Sequence, residues 1–228
     1  MALPLIFVIS GPTGVGKTTL CRSIVGAFSS QIITAVTTTT RSPRTGETNG
    51  VDYYFTTKDD FLRMRDRDEF LEYSRVHKEH FYGLTHLEIT NHFKNGLDVL
   101  LNLDVQGAAK LRELAREKEN AILHNRVVSV FLLPPPEGEL IHRIRRRGPI
   151  SRREIELRLE SIRNEVRMAR TYDYSIPPGN KRFVFEAMRH IYRAEKLRNR
   201  QDAAELHVCG RVISGQEHQV GLHGSTQG

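Results

Sequence analysis

The chain has 228 residues, 39% of them hydrophobic, 7% aromatic and 27% charged. That composition fits one globular domain, or one domain carrying insertions, and excludes a disordered or fibrous chain. The formal charge of +7 is mostly local, because residues 143–170 hold ten arginines against four glutamates, so the excess marks a patch facing nucleic acid or nucleotide phosphates rather than a uniformly basic surface. The two cysteines, Cys21 and Cys209, lie far apart without metal-ligand spacing. A reducing compartment and a cytoplasmic location are expected, with Cys21 a small buried residue on a helix. The apolar N-terminus has no basic leader or cleavage site and reads as a strand, not a signal peptide. No apolar run is long enough to span a bilayer.

Residues 3–9 read as a buried strand, and a helical pattern occupies 17–28. Between them, residues 11–18 match G-x-x-x-x-G-K-S/T, the phosphate-binding loop in its strand–loop–helix context. Gly11, Gly14 and Gly16 allow a tight bend. The N–H groups of Gly11, Pro12, Thr13, Gly14, Val15, Gly16, Lys17, Thr18 and Thr19 (proline excepted) and the helix start then form a cradle for the phosphates of ATP. Lys17 is expected to reach the β- and γ-phosphates, and the Thr18 hydroxyl to face Mg²⁺.

Residues 31–36 form a second short strand, and 37–47 a polar loop. Strands follow at 51–56, 70–76 and 80–83, with helices at 58–67 and 84–94. Further strands are expected at 97–103, 127–133 and 173–176, and helices at 106–118, 137–147, 151–170 and from 181 to about 200. Ser151 and Glu154 have capping-box spacing. From 205 onward the pattern fades into a glycine-punctuated tail. The alternation of buried strands with helices predicts a three-layer α/β fold with a parallel sheet, interrupted over 37–95 by hairpin-like strands that suggest an inserted lobe. Arg41 and Arg44, with Tyr53 and Tyr82, make a clamp for a second phosphate group. Glu72 on its strand reads, taken alone, as a solvated side chain.

Several motifs recur in order: T-T-R-x-P-R-x-G-E-x-N-G-x-D-Y at 39–53, E-F-x-E at 69–72, F-Y-G at 81–83, L-D-V-Q-G at 103–107 and R-A-E-K-L-R at 193–198. Over residues 4–200 the chain resembles the guanylate kinase family. The resemblance implies a P-loop NTPase core (1–36, 97–137 and 161–203), a mixed α/β GMP-binding lobe (37–96) and a helical lid (138–160), with 204–228 left as a flexible tail. It implies transfer of a phosphoryl group from ATP to GMP or dGMP with Mg²⁺. Arg41, Arg44, Tyr53 and Tyr82 would hold the GMP phosphate, Thr37 and Glu72 would meet the base, and Asp104 the substrate side. Arg143, Arg147 and Arg158 would close over the transferring group, while Arg146, Arg152, Arg153 and Arg163 stay on a solvated face. Guanine presents N1–H and N2–H₂ side by side, which match the two oxygens of one carboxylate. Adenine lacks that pair, a loss that can reject an analogue by about 10⁴-fold.

Three positions depart from the family pattern. Leu84 stands where Ser or Thr is usual, Asn102 where Asp is common, and Pro177-Pro178-Gly179-Asn180 where Asn-Asp often follows the last core strand. Asn102 and Asp104 are expected on one face at the strand end, and Asn180 is placed to supply the adenine-side contact. Other readings are a same-fold kinase of another phosphorylated acceptor, such as ribose 1,5-bisphosphate, and a non-catalytic binding module. The retained Glu72 argues against the first and the complete phosphate loop against the second. Neither nucleic acid nor membrane is expected as a partner, and the chain is expected to be a monomer or homodimer.

Overall fold

Every residue of Ile6–Ser10 is buried, because this strand is the middle of a parallel sheet covered on both faces. A computed structural model describes residues 3–76, 80–145 and 150–198. In chain order the elements are β1 (Ile6–Ser10), α1 (Lys17–Ala27), β2 (Ile32–Thr34), β3 (Thr38–Thr39), β4 (Tyr54–Phe55), α2 (Lys58–Asp66), β5 (Phe70–Val76), β6 (His80–Thr85), α3 (His86–Lys94), β7 (Asp98–Asn102), α4 (Val105–Leu114), β8 (Val127–Leu132), α5 (Glu137–Arg145), α6 (Arg152–Arg167), β9 (Tyr174–Ile176) and α7 (Lys181–Leu197). The first sheet has the order β2-β7-β1-β8-β9, and all its pairs are parallel. A second sheet has the order β4-β3-β6-β5.

The core divides as strand alternation requires. Ile6, Val8, Val99 and Leu101 pack on one side with Ile89 of α3 and Ala108 and Leu111 of α4. Phe7, Ile9, Leu100 and Val130 pack on the other with Leu20 and Ile24 of α1 and Met188 and Tyr192 of α7. This is the expected three-layer α/β arrangement. A separate cluster, Leu140 and Ile144 with Ile155, Leu159 and Ile162, joins α5 to α6. The Ser151–Glu154 capping box forms in both directions and starts α6.

The structure corrects several boundaries. The polar stretch expected to be a loop contains β3, which pairs antiparallel with Tyr82 and Gly83 and parallel with Tyr54 and Phe55. Polar composition hid it, yet the Thr38 and Thr39 side chains are buried and the Thr39 hydroxyl bonds the Phe81 carbonyl at 3.0 Å. Only Tyr54–Phe55 of the strand expected over 51–56 is extended. Helix α3 starts at His86 rather than 84, because the Thr85 hydroxyl caps it and Leu84 still belongs to β6. Asp104 does not continue β7 but caps α4, accepting from Gly107 N at 2.8 Å. Helix α4 ends at Leu114 rather than 118. The long helix stops at Arg167 and passes into a 3-10 turn, Met168–Thr171. The expected break at Gly148-Pro149 and the tail over 204–228 lie outside the described residues.

Candidate active site

The turn from β1 into α1 has the geometry its glycines allow. Gly11, Gly14 and Gly16 take φ of 137°, 94° and 105°. At Gly11 a Cβ would lie 2.5 Å from the Leu132 carbonyl oxygen, so no other residue fits without moving β8. Gly16 immediately precedes α1, so the positive dipole end of the helix adjoins the loop. Lys17 folds across it, donating to the carbonyls of Gly11 at 2.5 Å and Pro12 at 3.1 Å. The Thr18 hydroxyl is exposed and accepts from the Asn102 amide at 3.3 Å, across the β1–β7 pairing.

A cavity of about 290 Å³ opens beside this loop. Its walls include Thr13, Thr37, Tyr53, Glu72, Tyr82 and Asp104, together with Asn102. Glu72 is only 3% exposed, and its Oε2 has no hydrogen-bond partner. Burial, then repulsion from Asp104, pushes its carboxyl up to about 8, against the pull of Lys110. Lys110 is held over the Tyr73 ring, 4.2 Å from its centroid, and donates to the Tyr73 carbonyl. A buried carboxylate with an unpartnered oxygen is a costly arrangement, and one that a ligand with paired N–H groups relieves.

Arg41 adjoins the same cavity. It donates to both oxygens of Glu47, at 2.8 and 3.0 Å, and to the Tyr82 hydroxyl at 3.2 Å. The rings of Tyr53 and Phe55 flank its guanidinium at 5.2 and 5.7 Å. The hydrogen bonds from Arg41 hold the Glu47 carboxyl below its ordinary range, and burial followed by Tyr82 raises the Tyr53 phenol. A larger cavity, about 620 Å³, lies on the other side of the phosphate loop between α1 and the start of α7, with Gly14, Gly16, Thr19, Asn180, Lys181 and Phe185 among its walls. A phosphate loop flanked by two cavities, one of them lined by a buried carboxylate, suits a kinase with two nucleotide sites.

Comparison with known proteins agrees with this geometry. The family model described as guanylate kinase matches residues 4–188. The chain belongs to the guanylate kinase family. It is 41% identical over 194 residues to the guanylate kinase of Wolbachia sp. subsp. Brugia malayi, covering 85% of this chain and 94% of that one. It is 36% identical over 194 residues to that of Caldanaerobacter subterraneus subsp. tengcongensis, covering 85% and 89%. The crystal structure of guanylate kinase from Anaplasma phagocytophilum superposes with a TM-score of 0.70 at 29% identity, over 93% of this chain and 97% of that one.

Set against the guanylate kinase motifs, Thr37, Tyr53, Glu72, Tyr82 and Asp104 converge on one cavity, and Arg41 joins them through Tyr82. The reading of Glu72 as a solvated side chain, drawn from the residue alone, is overturned by its burial. Arg44 is exposed, and its backbone N–H donates at 2.7 Å to Oε2 of Glu47, the carboxylate that also holds Arg41. Arg158 is exposed on α6, about two turns before Glu165 on the same side of the helix, and Glu165 interacts electrostatically with Lys17 and Asp104. Arg143 stands on α5 with its side chain outside the described residues, as is all of Arg147. Arg152 and Arg163 make exposed ion pairs with Glu156 and Glu137, and Arg153 is exposed. Leu84 is fully buried in the core, so its departure from the family pattern leaves the walls of the cavity unchanged. Cys21 is buried and free, its thiol pushed up to about 12 by burial, as a packing residue should be. Two residues escaped sequence reasoning. Glu47 lay inside a quoted motif, and its spacing from Arg41 across a turn was the available signal. Glu165 looked like one more charge on a helix, and only packing brings it near Lys17. Among the described residues no helix is long and apolar enough to cross a membrane.

Proposed function

We propose that the chain transfers the γ-phosphoryl group of ATP to GMP and dGMP, with Mg²⁺, yielding ADP and GDP or dGDP. Glu72 carries this reading. A buried carboxylate with an unpartnered oxygen, in the wall of a cavity beside a phosphate loop, is complementary to the paired N1–H and N2–H₂ donors of guanine. Thr37 adds a hydroxyl to the base site. Arg41, held by Glu47 and Tyr82, and Tyr53 take the GMP phosphate, with Arg44 swinging in from the surface. The acceptor phosphate is already an oxyanion near neutral pH, so no general base is required.

Lys17 gives up its loop carbonyls to take the β- and γ-phosphates, and Arg158 with Arg143 and Arg147 adds positive charge as the transferring group loosens from ADP. The Thr18 hydroxyl and the side chain of Asn102 offer neutral oxygen ligands, the donor type a hard divalent ion prefers. They would hold Mg²⁺, which when bound neutralises charge on the β- and γ-oxygens. Residues 37–96 serve as the GMP lobe and 138–160 as a lid that excludes water on closing.

The test is Mg²⁺-dependent ADP release with GMP, dGMP, AMP, UMP and ribose 1,5-bisphosphate offered in parallel. Turnover restricted to GMP and dGMP, and abolished in Glu72→Ala, is the expected result. Turnover with the ribose bisphosphate alone would replace this reading with a different kinase of the same fold.

A further inference from the structure

The larger cavity carries information about the base of the donor nucleotide. Its polar side chains are unevenly assorted. Asn180 precedes α7, and its Oδ1 accepts from the backbone N–H of Phe183 at 2.8 Å. A backbone N–H can be answered only by an oxygen, so this bond fixes which way the amide is turned. The Asn180 carbonyl is also engaged, accepting from Val184 N at 3.1 Å. What the Asn180 side chain still offers is its Nδ2–H₂, a donor. Lys181 beside it carries three donors and no acceptor. The hydroxyls of Thr19 and Ser23 serve in either sense, and Ser23 already donates to the Thr19 carbonyl at 3.0 Å. The remaining wall is backbone and apolar, from Val15, Leu20, Val184 and Phe185. Among the described residues no carboxylate lines this cavity.

A purine is read at C6 by the sense of one group. Adenine has an amino donor there, whereas guanine and hypoxanthine have a carbonyl acceptor. Nδ2 of Asn180 and Nζ of Lys181 match a carbonyl and leave an amino group facing like groups. Adenine still offers its ring nitrogens as acceptors to the same amide, so ATP remains a substrate.

Resting on the proposed phosphotransferase activity, we infer that Asn180 and Lys181 make the donor site accept 6-oxopurine nucleoside triphosphates, ITP and GTP, alongside ATP. The overall reaction is unchanged: the bond between the γ-phosphorus and the β–γ bridging oxygen breaks, a GMP phosphate oxygen attacks, and the nucleoside diphosphate leaves. GTP with GMP would then give two molecules of GDP.

The experiment compares ITP with ATP as donor at saturating radiolabelled GMP, reading kcat/KM for each, in the wild type, Asn180→Asp and Lys181→Gln. Asn180→Asp retains an oxygen for Phe183 N–H, so the cap of α7 survives, and it replaces the exposed donor with an acceptor. The expected result is ITP within about tenfold of ATP in the wild type, and an ITP/ATP ratio at least about tenfold lower in Asn180→Asp, the size of one mismatched hydrogen bond. Lys181→Gln should lower the ratio less. Wild-type ITP turnover more than about 100-fold below ATP, or a ratio unmoved by Asn180→Asp, overturns the inference. Calorimetric binding of IDP and ADP in the presence of saturating GMP gives the same comparison without turnover. An enzyme that fails to phosphorylate GMP therefore sinks the functional proposal, while equal or unequal binding of IDP and ADP still decides this one.

Discussion

Asn102, at the end of β7, donates its side-chain amide to the Thr18 hydroxyl at the start of α1, over 3.3 Å. In phosphate-loop enzymes the group beside this hydroxyl is commonly an aspartate that supports the Mg²⁺ shell. A carboxamide keeps the geometry and removes the charge. Asn102→Asp should therefore lower the Mg²⁺ concentration required for half-maximal activity, by about three- to tenfold, and tighten Mn²⁺ binding to the ADP complex measured by electron paramagnetic resonance. Unchanged metal dependence in that variant would show that Asn102 has no part in holding the ion.

Glu47 fixes Arg41 from behind, with both oxygens engaged and the two side chains 20% and 10% exposed. Freed from that pair, Arg41 would sample several rotamers and meet the GMP phosphate at an entropic cost. Glu47→Ala should raise KM for GMP about tenfold and leave KM for ATP within twofold. Glu47→Gln, which can still accept one hydrogen bond, should fall between. Equal changes in both KM values would point instead to a general loss of folding.

Glu72 ties acidity to substrate binding. Burial pushes its carboxyl up to about 8, and only the ionised form accepts both guanine donors. GMP affinity measured by calorimetry should therefore rise close to tenfold per pH unit between about 6.5 and 8 and level off above. The sign for stability is opposite. Between the unfolded value near 4.5 and the folded value near 8, the native state keeps a proton that the unfolded chain has released, so this group costs stability as pH rises through that window. Glu72→Gln should raise the unfolding free energy at pH 8 by an amount on the order of a few kcal/mol, have little effect near pH 4, and lose GMP turnover. A variant less stable at pH 8 would contradict the burial argument.

Asp98 anchors the opposite end of the sheet. It is 1% exposed, and it accepts from Leu5 N at 2.8 Å, Lys196 Nζ at 2.9 Å and the Tyr192 hydroxyl at 2.7 Å. These bonds pin β1 and α7 to β7. Asp98→Ala leaves three donors behind and should cost about 3–5 kcal/mol in urea unfolding, whereas Tyr192→Phe should cost about 1 kcal/mol. KM values for both nucleotides should stay close to wild type in Tyr192→Phe, because the network lies at the far end of the strands from the phosphate loop.

The phosphate loop, the parallel core and the Ser151–Glu154 cap were legible in the sequence, because each depends on contacts made within a few residues or on a period along the chain. Residues 11–18 need only their own glycines to bend, and the β1, β7 and β8 runs are mostly apolar since both faces of the sheet are covered. The ordered motifs also point to Glu72, Tyr53 and Tyr82, which the fold brings to one cavity. Tertiary structure decided what depends on partners distant in sequence. Thr38 and Thr39 become a strand only because β6 and β4 arrive on either side. Leu84 leaves the cavity for the core, Glu47 is aimed at Arg41, and Asn180 is turned by the helix that follows it. Composition and spacing along a chain describe which groups are available. Burial, charge state and the sense of a hydrogen bond belong to the neighbours that folding supplies, and these determine that Glu72 sits buried, with one oxygen unpartnered, in the wall of the cavity beside the phosphate loop.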